Sequence, residues 1–351
     1  MKYWLSLVLT LLSLSVTALA EGARTDPVAE NMVLLQTASG GWSKHFDEKA
    51  VDYTRGYLPA EIAALRSPDR RDDATIDNKA TTREIRYLAE TYRETGNSAY
   101  LESARRGVAY LLAAQYANGG WPQYYPDRSL YRHQITYNDD AMVRVLQLLQ
   151  DVAEGRDALA ALTPEYAERT REAVSRGIAC ILATQLKIDG EPTIWAGQYD
   201  EITLQPAKAR SYELPSLAVS ESVSVVRFLI RQPQPTPAII DAVDNAARWF
   251  DRHRLRDTAM RKVEAPGEET GQDVLIETQP GASLWARFYD LDRQQPMFVN
   301  RQGEQVARFV DIPNERRVGY AWYGVWPEKL LSQELPRWRK AVASPPVSNA
   351  P

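Results

Sequence analysis

Cysteine and histidine are almost missing from this 351-residue chain: Cys180 stands alone, and His45, His133 and His253 are the only histidines. A disulfide framework, a Cys/His metal site and a cysteine nucleophile are therefore excluded as organising chemistry. Gly and Pro, at 18 and 21, are too few for collagen or low complexity, and 44% hydrophobic with 25% charged residues is the profile of a globular protein. No apolar run after the first 20 residues is long enough to span a bilayer. What remains for catalysis is carboxylate, Arg, Lys and Tyr.

The chain is instead rich in aromatics, 33 in all, of which 27 are Trp or Tyr. Residues 1–20 read as a secretory leader, with Lys2 at the start, a mostly apolar stretch from Leu5 to Val16, and Ala18-Leu19-Ala20 as the cleavage site. Losing Lys2 moves the formal charge from −4 to −5, 46 acidic against 41 basic residues. That balance argues against nucleic acid as a partner. An exported chain, secreted or periplasmic, with one cysteine must rely on its hydrophobic core, which a chain of this length can build. Residues 28–335 read as one domain and 336–351 as a disordered tail. A monomer without a membrane anchor is expected.

The sequence repeats. Gln36-Thr37-Ala38-Ser39-Gly40-Gly41-Trp42 returns 79 residues later as Gln115 to Trp121, and a degraded copy follows with Gln185, Gly190 and Trp195. Apolar spacing of 3.6 predicts helices over Thr81–Gly96, Ser98–Tyr116, a segment capped by Asn138 or Asp139, Pro164–Thr184, Leu214–Ile230 and Pro237–His253. Thr81-x-x-Glu84 reads as a capping box. Strand-like runs occur only near the end, at Met297–Val299 and Ala307–Val310. The fold class is mainly α, an incomplete α/α toroid with a few short strands. The repeated Gln-x-x-x-Gly-Gly-Trp also occurs in terpene cyclases, but the carboxylates here are interleaved with Lys and Arg rather than set in an apolar cavity.

Four polar segments sit at predicted helix starts or in loops: Thr75–Thr82, Ile135–Met142, Pro206–Glu213, and Trp285–Asp290 continuing to Asn300–Gly303. With Gly119–Pro126 they make the chain resemble family 10 pectate lyases over most of residues 28–330. The resemblance implies an (α/α)3 barrel and Ca²⁺-assisted β-elimination on polygalacturonate, giving 4,5-unsaturated products. Oxygen ligands such as Asp suit that hard cation, and a cation bridges an acidic protein to an acidic polymer. By resemblance Asp77, Asp139 and Asp140 are the candidate calcium ligands, although Asp139 also suits an N-cap and Asp77 a turn. Arg210 is the candidate base, with Lys208 as a cationic neighbour and Arg301 as the other candidate. Arg287 and Arg301 suit bidentate recognition of uronate carboxylates. Tyr137 is placed with substrate, and Trp121, Tyr124 and Tyr125, together with Trp195 and Tyr199, could stack on sugar rings or pack in the core. Two other readings stay open: an inverting glycoside hydrolase using two carboxylates, and a non-catalytic pectin-binding protein.

Overall fold

The computed structural model describes residues 24–344. The leader expected over residues 1–20 and the last seven residues lie outside them. Helix α1 spans Pro27–Leu35 and α2 Pro59–Leu65; α3 (Thr82–Thr95), α4 (Ser98–Ala114), α5 (Ala141–Ala153), α6 (Thr163–Thr184), α7 (Val219–Leu229) and α8 (Pro237–Arg252) follow. They pair as the hairpins α3/α4, α5/α6 and α7/α8. Contacts of α3 with α5 and α5 with α7 make these the inner helices, and α4, α6 and α8 the outer ones, in a mainly α, open toroid. The sequence explains the layering. Helix α5 is apolar on nearly all sides, with Met142, Val145, Leu146, Leu148, Leu149 and Val152 buried, as a helix enclosed by neighbours must be. By contrast α8 has one apolar stripe, Ile239, Ala242, Val243, Ala246 and Phe250, and a charged outer face.

The repeat works as an anchor. Trp42, Trp121 and Trp195 are fully buried, and their indole N–H groups donate to the carbonyls of Met32, Leu111 and Ile181, each at 2.7 Å. The preceding glutamine ties its turn to the neighbouring outer helix: Gln36 Nε2 donates to Gly40 O and Ser103 O, Gln115 Nε2 to Gly119 O and Ala173 O, and Gln185 Nε2 to Thr193 O and Ala242 O. Gly119 has φ +91°, and a Cβ there would lie 2.0 Å from Arg176 O on α6, so only glycine fits. A fourth copy centres on Trp285, whose Nε1 donates to Phe250 O at 2.8 Å. Trp285-Ala286-x-x-Tyr289 matches Trp195-Ala196-x-x-Tyr199, and in both the tyrosine hydroxyl accepts from the alanine N–H and donates to the carbonyl of Thr184 or His253. This copy lacks the Gln-Gly-Gly prefix, which hid it from the sequence comparison.

Backbone bonds stitch these segments into an arc. Thr75, Thr136 and Ala218 N–H groups donate to the carbonyls of Trp42, Trp121 and Trp195; the next residues, Ile76, Tyr137 and Val219, donate to Gln123, Gly197 and Arg287 in the following copy. Residues just after each tryptophan therefore lie beside the N-termini of α3, α5 and α7.

Several expectations change. Thr81 stands at the N-cap position of α3 but forms no capping box: its φ is +65°, and its hydroxyl accepts from Trp42 N at 3.1 Å and donates to Thr75 O at 2.8 Å instead of bonding the first helical turn. Helix α7 begins at Val219, five residues after the expected Leu214. The run Ala307–Val310 is not a strand, since Gln305–Val306 pairs with Phe298–Val299 and a 3₁₀ turn covers Phe309–Asp311. A long antiparallel hairpin, Leu255–Glu264 with Gln272–Ala286, was not anticipated, because most of it is exposed and its apolar residues, such as Met260, Val263, Leu275 and Ile276, show no clean alternation with polar ones. Residues 335–343 form a helix that buries Leu335 and Trp338, so the ordered domain runs past residue 335 rather than ending in a tail from 336.

Candidate functional site

Two irregular 3₁₀ turns, Asp77–Lys79 and Asn138–Asp140, lead into α3 and α5, and Glu221 lies in the first turn of α7. Helix N-termini carry partial positive charge, so three carboxylates there are favourably placed. Asp77 is 3% exposed and accepts an ion pair from Lys44 through Oδ2, while its Oδ1 is buried without a partner. Burial works against the Lys44 charge, but the Asp77 carboxylate outweighs it and the ammonium is held above its ordinary pKa. Arg287 Nη2 lies 2.5 Å from Glu221 Oε1 and 3.6 Å from Asp139 Oδ1. Burial raises the Asp139 pKa; Arg287 opposes this, and the charges of Glu221, Asp77 and Glu213 add to it. Four carboxylates thus share one electrostatic field.

A row of cations and aromatic rings continues from there. Arg287 lies 4.9 Å from the centroid of Tyr320, Arg316 lies 4.2 Å from Tyr320 and 4.1 Å from Tyr212, and Arg210 lies 5.0 Å from Tyr212. Arg210 is half-exposed and ion-paired with Glu213, which also accepts from the Arg210 N–H at 3.1 Å. That pairing holds the Arg210 guanidinium above its ordinary pKa, the reverse of what a base requires. Arg316 differs: it is 7% exposed, has no carboxylate within ion-pair distance, and its Nε is buried without a partner. Burial lowers its pKa, with Arg301 and Arg210 contributing.

The structure therefore sorts the sequence candidates. Asp77, Asp139, Arg210 and Arg287 come together. Asp140 turns aside and meets Arg144 at 3.2 Å, one helical turn along α5. Arg301 is joined to the Arg210 loop through its carbonyl, which accepts from Ser211 Oγ at 3.0 Å, while its guanidinium pairs with Glu315. Lys208 is exposed and contributes its carbonyl to Gln134 Nε2 at 2.8 Å. Trp121 and Tyr137 are not sugar platforms, because both are fully buried; the Tyr137 hydroxyl bonds Thr184 and its ring meets Tyr199 edge-on. Trp195 and Tyr199 are core as well. Tyr124 lies beside Lys44 with Arg132 over its ring at 4.6 Å. Tyr125 is half-buried, packing on Tyr110 with Arg128 at 5.1 Å.

Lys44, Glu213, Glu221 and Arg316 were not singled out from the sequence. One signal was available for Lys44: it stands two residues after Trp42, as Arg287 stands two residues after Trp285. Arg316 follows an irregular loop and carries no such mark.

The donor set suits a hard cation. Asp77 Oδ1, Glu221 Oε2 and Gln123 Oε1 are all buried oxygen acceptors without partners. No cluster of three or more Asp, Glu, His or Cys side chains able to hold a metal is found among the described residues.

Residues 36–331 match the model of the pectic acid lyase family. The chain belongs to that family. It is similar to the family 10 polysaccharide lyase from Cellvibrio cellulosa, with 31% identity, coverage of 90% of this chain and 91% of the other, and a TM-score of 0.76. A mutant of the same enzyme in complex with trigalacturonic acid gives 30% identity, 90% and 92% coverage, and a TM-score of 0.76. No curated protein matches. As a member of the family the chain is a polysaccharide lyase with a pectate lyase-type activity. No helix among the described residues is long and apolar enough to cross a membrane.

Proposed function

We propose that the protein is an exported pectate lyase that cleaves α-1,4-linked polygalacturonate by calcium-assisted β-elimination, leaving a 4,5-unsaturated uronate at the new non-reducing end. The observation that carries the reading is that Asp77, Asp139 and Glu221 at the N-terminal ends of the inner helices meet Lys44 and Arg287, and that the row Arg287, Tyr320, Arg316, Tyr212 and Arg210 with Glu213 continues from them. Such a surface suits a polyanion recognised together with a cation, and the relative bound to trigalacturonic acid supports the same substrate class.

Elimination breaks the C5–H bond, next to the uronate carboxylate, and the C4–O bond, and forms the C4=C5 double bond; the C5 proton passes to the base, and the C4 oxygen leaves on the departing chain and takes a proton from water. Asp77 and Asp139 would hold the calcium, with Glu213 within the same field. When bound, the metal supplies neutralisation of the uronate carboxylate and so acidifies the C5 proton. Arg210 is the proton acceptor in this reading. An arginine near neutrality is charged, so Arg210 must first leave Glu213 and meet the other cations of the row. Arg316 then disfavours a further positive charge, and burial under a bound oligomer adds to that effect. Arg316, with its partnerless Nε and no protein carboxylate, orients a uronate carboxylate beside Tyr212. Tyr124, beside Lys44, offers the aromatic edge of the cleft.

The test is direct. The ultraviolet absorbance of the unsaturated product, followed on polygalacturonate with calcium and with chelator, separates elimination from hydrolysis, which yields reducing ends without that chromophore.

A further inference from the structure

Among the ion pairs on the site carboxylates, those made by Arg287 and by Lys44 are built differently. Arg287 is fixed: its side chain is 13% exposed, its guanidinium lies beside the rings of Phe288 and Tyr320 at 5.4 and 4.9 Å from their centroids, and it holds Glu221 and Asp139 together. Lys44 has a single carboxylate partner, Asp77, and its side chain is 27% exposed against 4% for Asp77. A lysine ammonium is a compact charge on a flexible stem and keeps its hydration readily. The backbone under it is rigid, because Trp42 is buried and Trp42 O accepts from Thr75 N at 3.0 Å. The ammonium can therefore swing toward the open side while Asp77 cannot follow. Lys44 also leaves Asp77 Oδ1 unsatisfied, a poor solution for a buried carboxylate unless another cation uses that oxygen.

We propose that Lys44 is an exchangeable counter-ion: it neutralises Asp77 in the free enzyme, and calcium on Asp77 releases its ammonium to a galacturonate carboxylate. The exchange rests on the reading that Asp77 holds calcium. It makes calcium and oligogalacturonate each bind better in the presence of the other, because either ligand alone must oppose the Lys44–Asp77 pair. By linkage the coupling is reciprocal. Metal binding in the absence of pectate is held weak by a residue that touches no substrate until the metal arrives.

Calorimetric titration of the intact protein with calcium alone tests this without turnover. Lys44→Gln is expected to bind calcium more tightly than wild type by roughly tenfold, within the range usual for coupled sites. Lys44→Met gives the same result if the glutamine variant does not fold, and Lys44→Arg, which keeps the charge, stays as weak as wild type. A second titration in an Arg210→Ala background, with trigalacturonate present, should tighten calcium binding severalfold when Lys44 is present and much less in Lys44→Gln. Equal calcium affinity for wild type and both neutral variants overturns the exchange, as does a trigalacturonate effect that survives loss of Lys44. Asp77→Asn separates the two levels of inference: unchanged calcium affinity in that variant removes the metal assignment itself, whereas lost affinity with no Lys44 effect removes only the exchange.

Discussion

Asp77 and Asp139 come from corresponding turns but not from corresponding positions. Asp77 aligns with Asn138 at the start of its 3₁₀ turn, and Asp139 aligns with Asn78; Asn78 and Asp139 share a left-handed backbone, with φ of 49° and 52°. The first two positions of each turn therefore hold one carboxylate and one amide, in opposite order, and these two acids approach the site from different depths. Asp77 is buried against Lys44, whereas Asp139 is more open and faces Arg287.

The first prediction concerns what Asp139 costs. Its pKa is raised in the folded chain, chiefly by burial. A group that holds its proton more tightly when folded lends stability below its ordinary pKa and loses that stability as pH rises through the folded value. At neutral pH the charged form is thus a burden. Asp139→Asn, well tolerated at positive φ, should melt higher than wild type at neutral pH, with the difference shrinking as pH falls into the carboxylate range. Thermal melts across pH check this, and activity should be lost at every pH.

The Arg210 assignment predicts a split in the kinetics. Arg210→Ala should lower kcat on polygalacturonate by roughly 10²–10⁴-fold, the usual worth of a positioned proton acceptor, while KM changes little. A variant that raised KM and kept kcat would mark Arg210 as a binding residue instead.

For Arg316 the expected pattern is the opposite. With no ion pair to lose, and with relief of a buried charge offsetting the lost contacts to Tyr212 and Tyr320, Arg316→Met should fold with a stability close to wild type. Loss of a charge-assisted contact to the uronate should raise KM about tenfold or more. Denaturation midpoints and steady-state kinetics on the same preparation read both effects.

Gly119→Ala probes the repeat. The added Cβ meets Arg176 O on α6 at 2.0 Å and sits at φ +91°, so a loss of roughly 3 kcal/mol or more in stability is expected from strain and overpacking. Gly190, in the degraded third copy, has open space around it and a φ of +82°. The same change there should cost only the backbone strain, about 1–2 kcal/mol. Urea denaturation of the two variants compares them.

How much of this was legible in the chain varies with how local the cause is. The helices of the arc follow from apolar spacing, and the Gly-Gly-Trp copies announced repeated hairpins. The aromatic readings failed at Trp121 and Tyr137 because nothing in a sequence says whether a tryptophan beside a turn faces out or anchors the core; the choice is made by α4, which presents Leu111 O to the Trp121 indole. Asp140 was grouped with Asp139 because they are adjacent, but Arg144 one helical turn on draws it away. Glu221 and Arg316 escaped notice since their partners, Arg287 at 66 residues' separation and the cage formed by Tyr212 and Tyr320, meet only in the fold. The fourth tryptophan copy escaped because the hairpin inserted before Trp285 stands where the other copies carry their Gln and Gly residues, which moves its hydrogen-bond partner Phe250 to 35 residues upstream.

The central claim is elimination supported by calcium at the helix N-termini. Incubation of the protein with polygalacturonate at alkaline pH, followed by ultraviolet absorbance, measures it most directly. The account predicts that the signal of the unsaturated uronate grows with calcium, stops on chelation, returns when calcium is restored, and is absent for Asp77→Ala. New reducing ends without the chromophore, or tight binding of the polymer with no product at all, would contradict it.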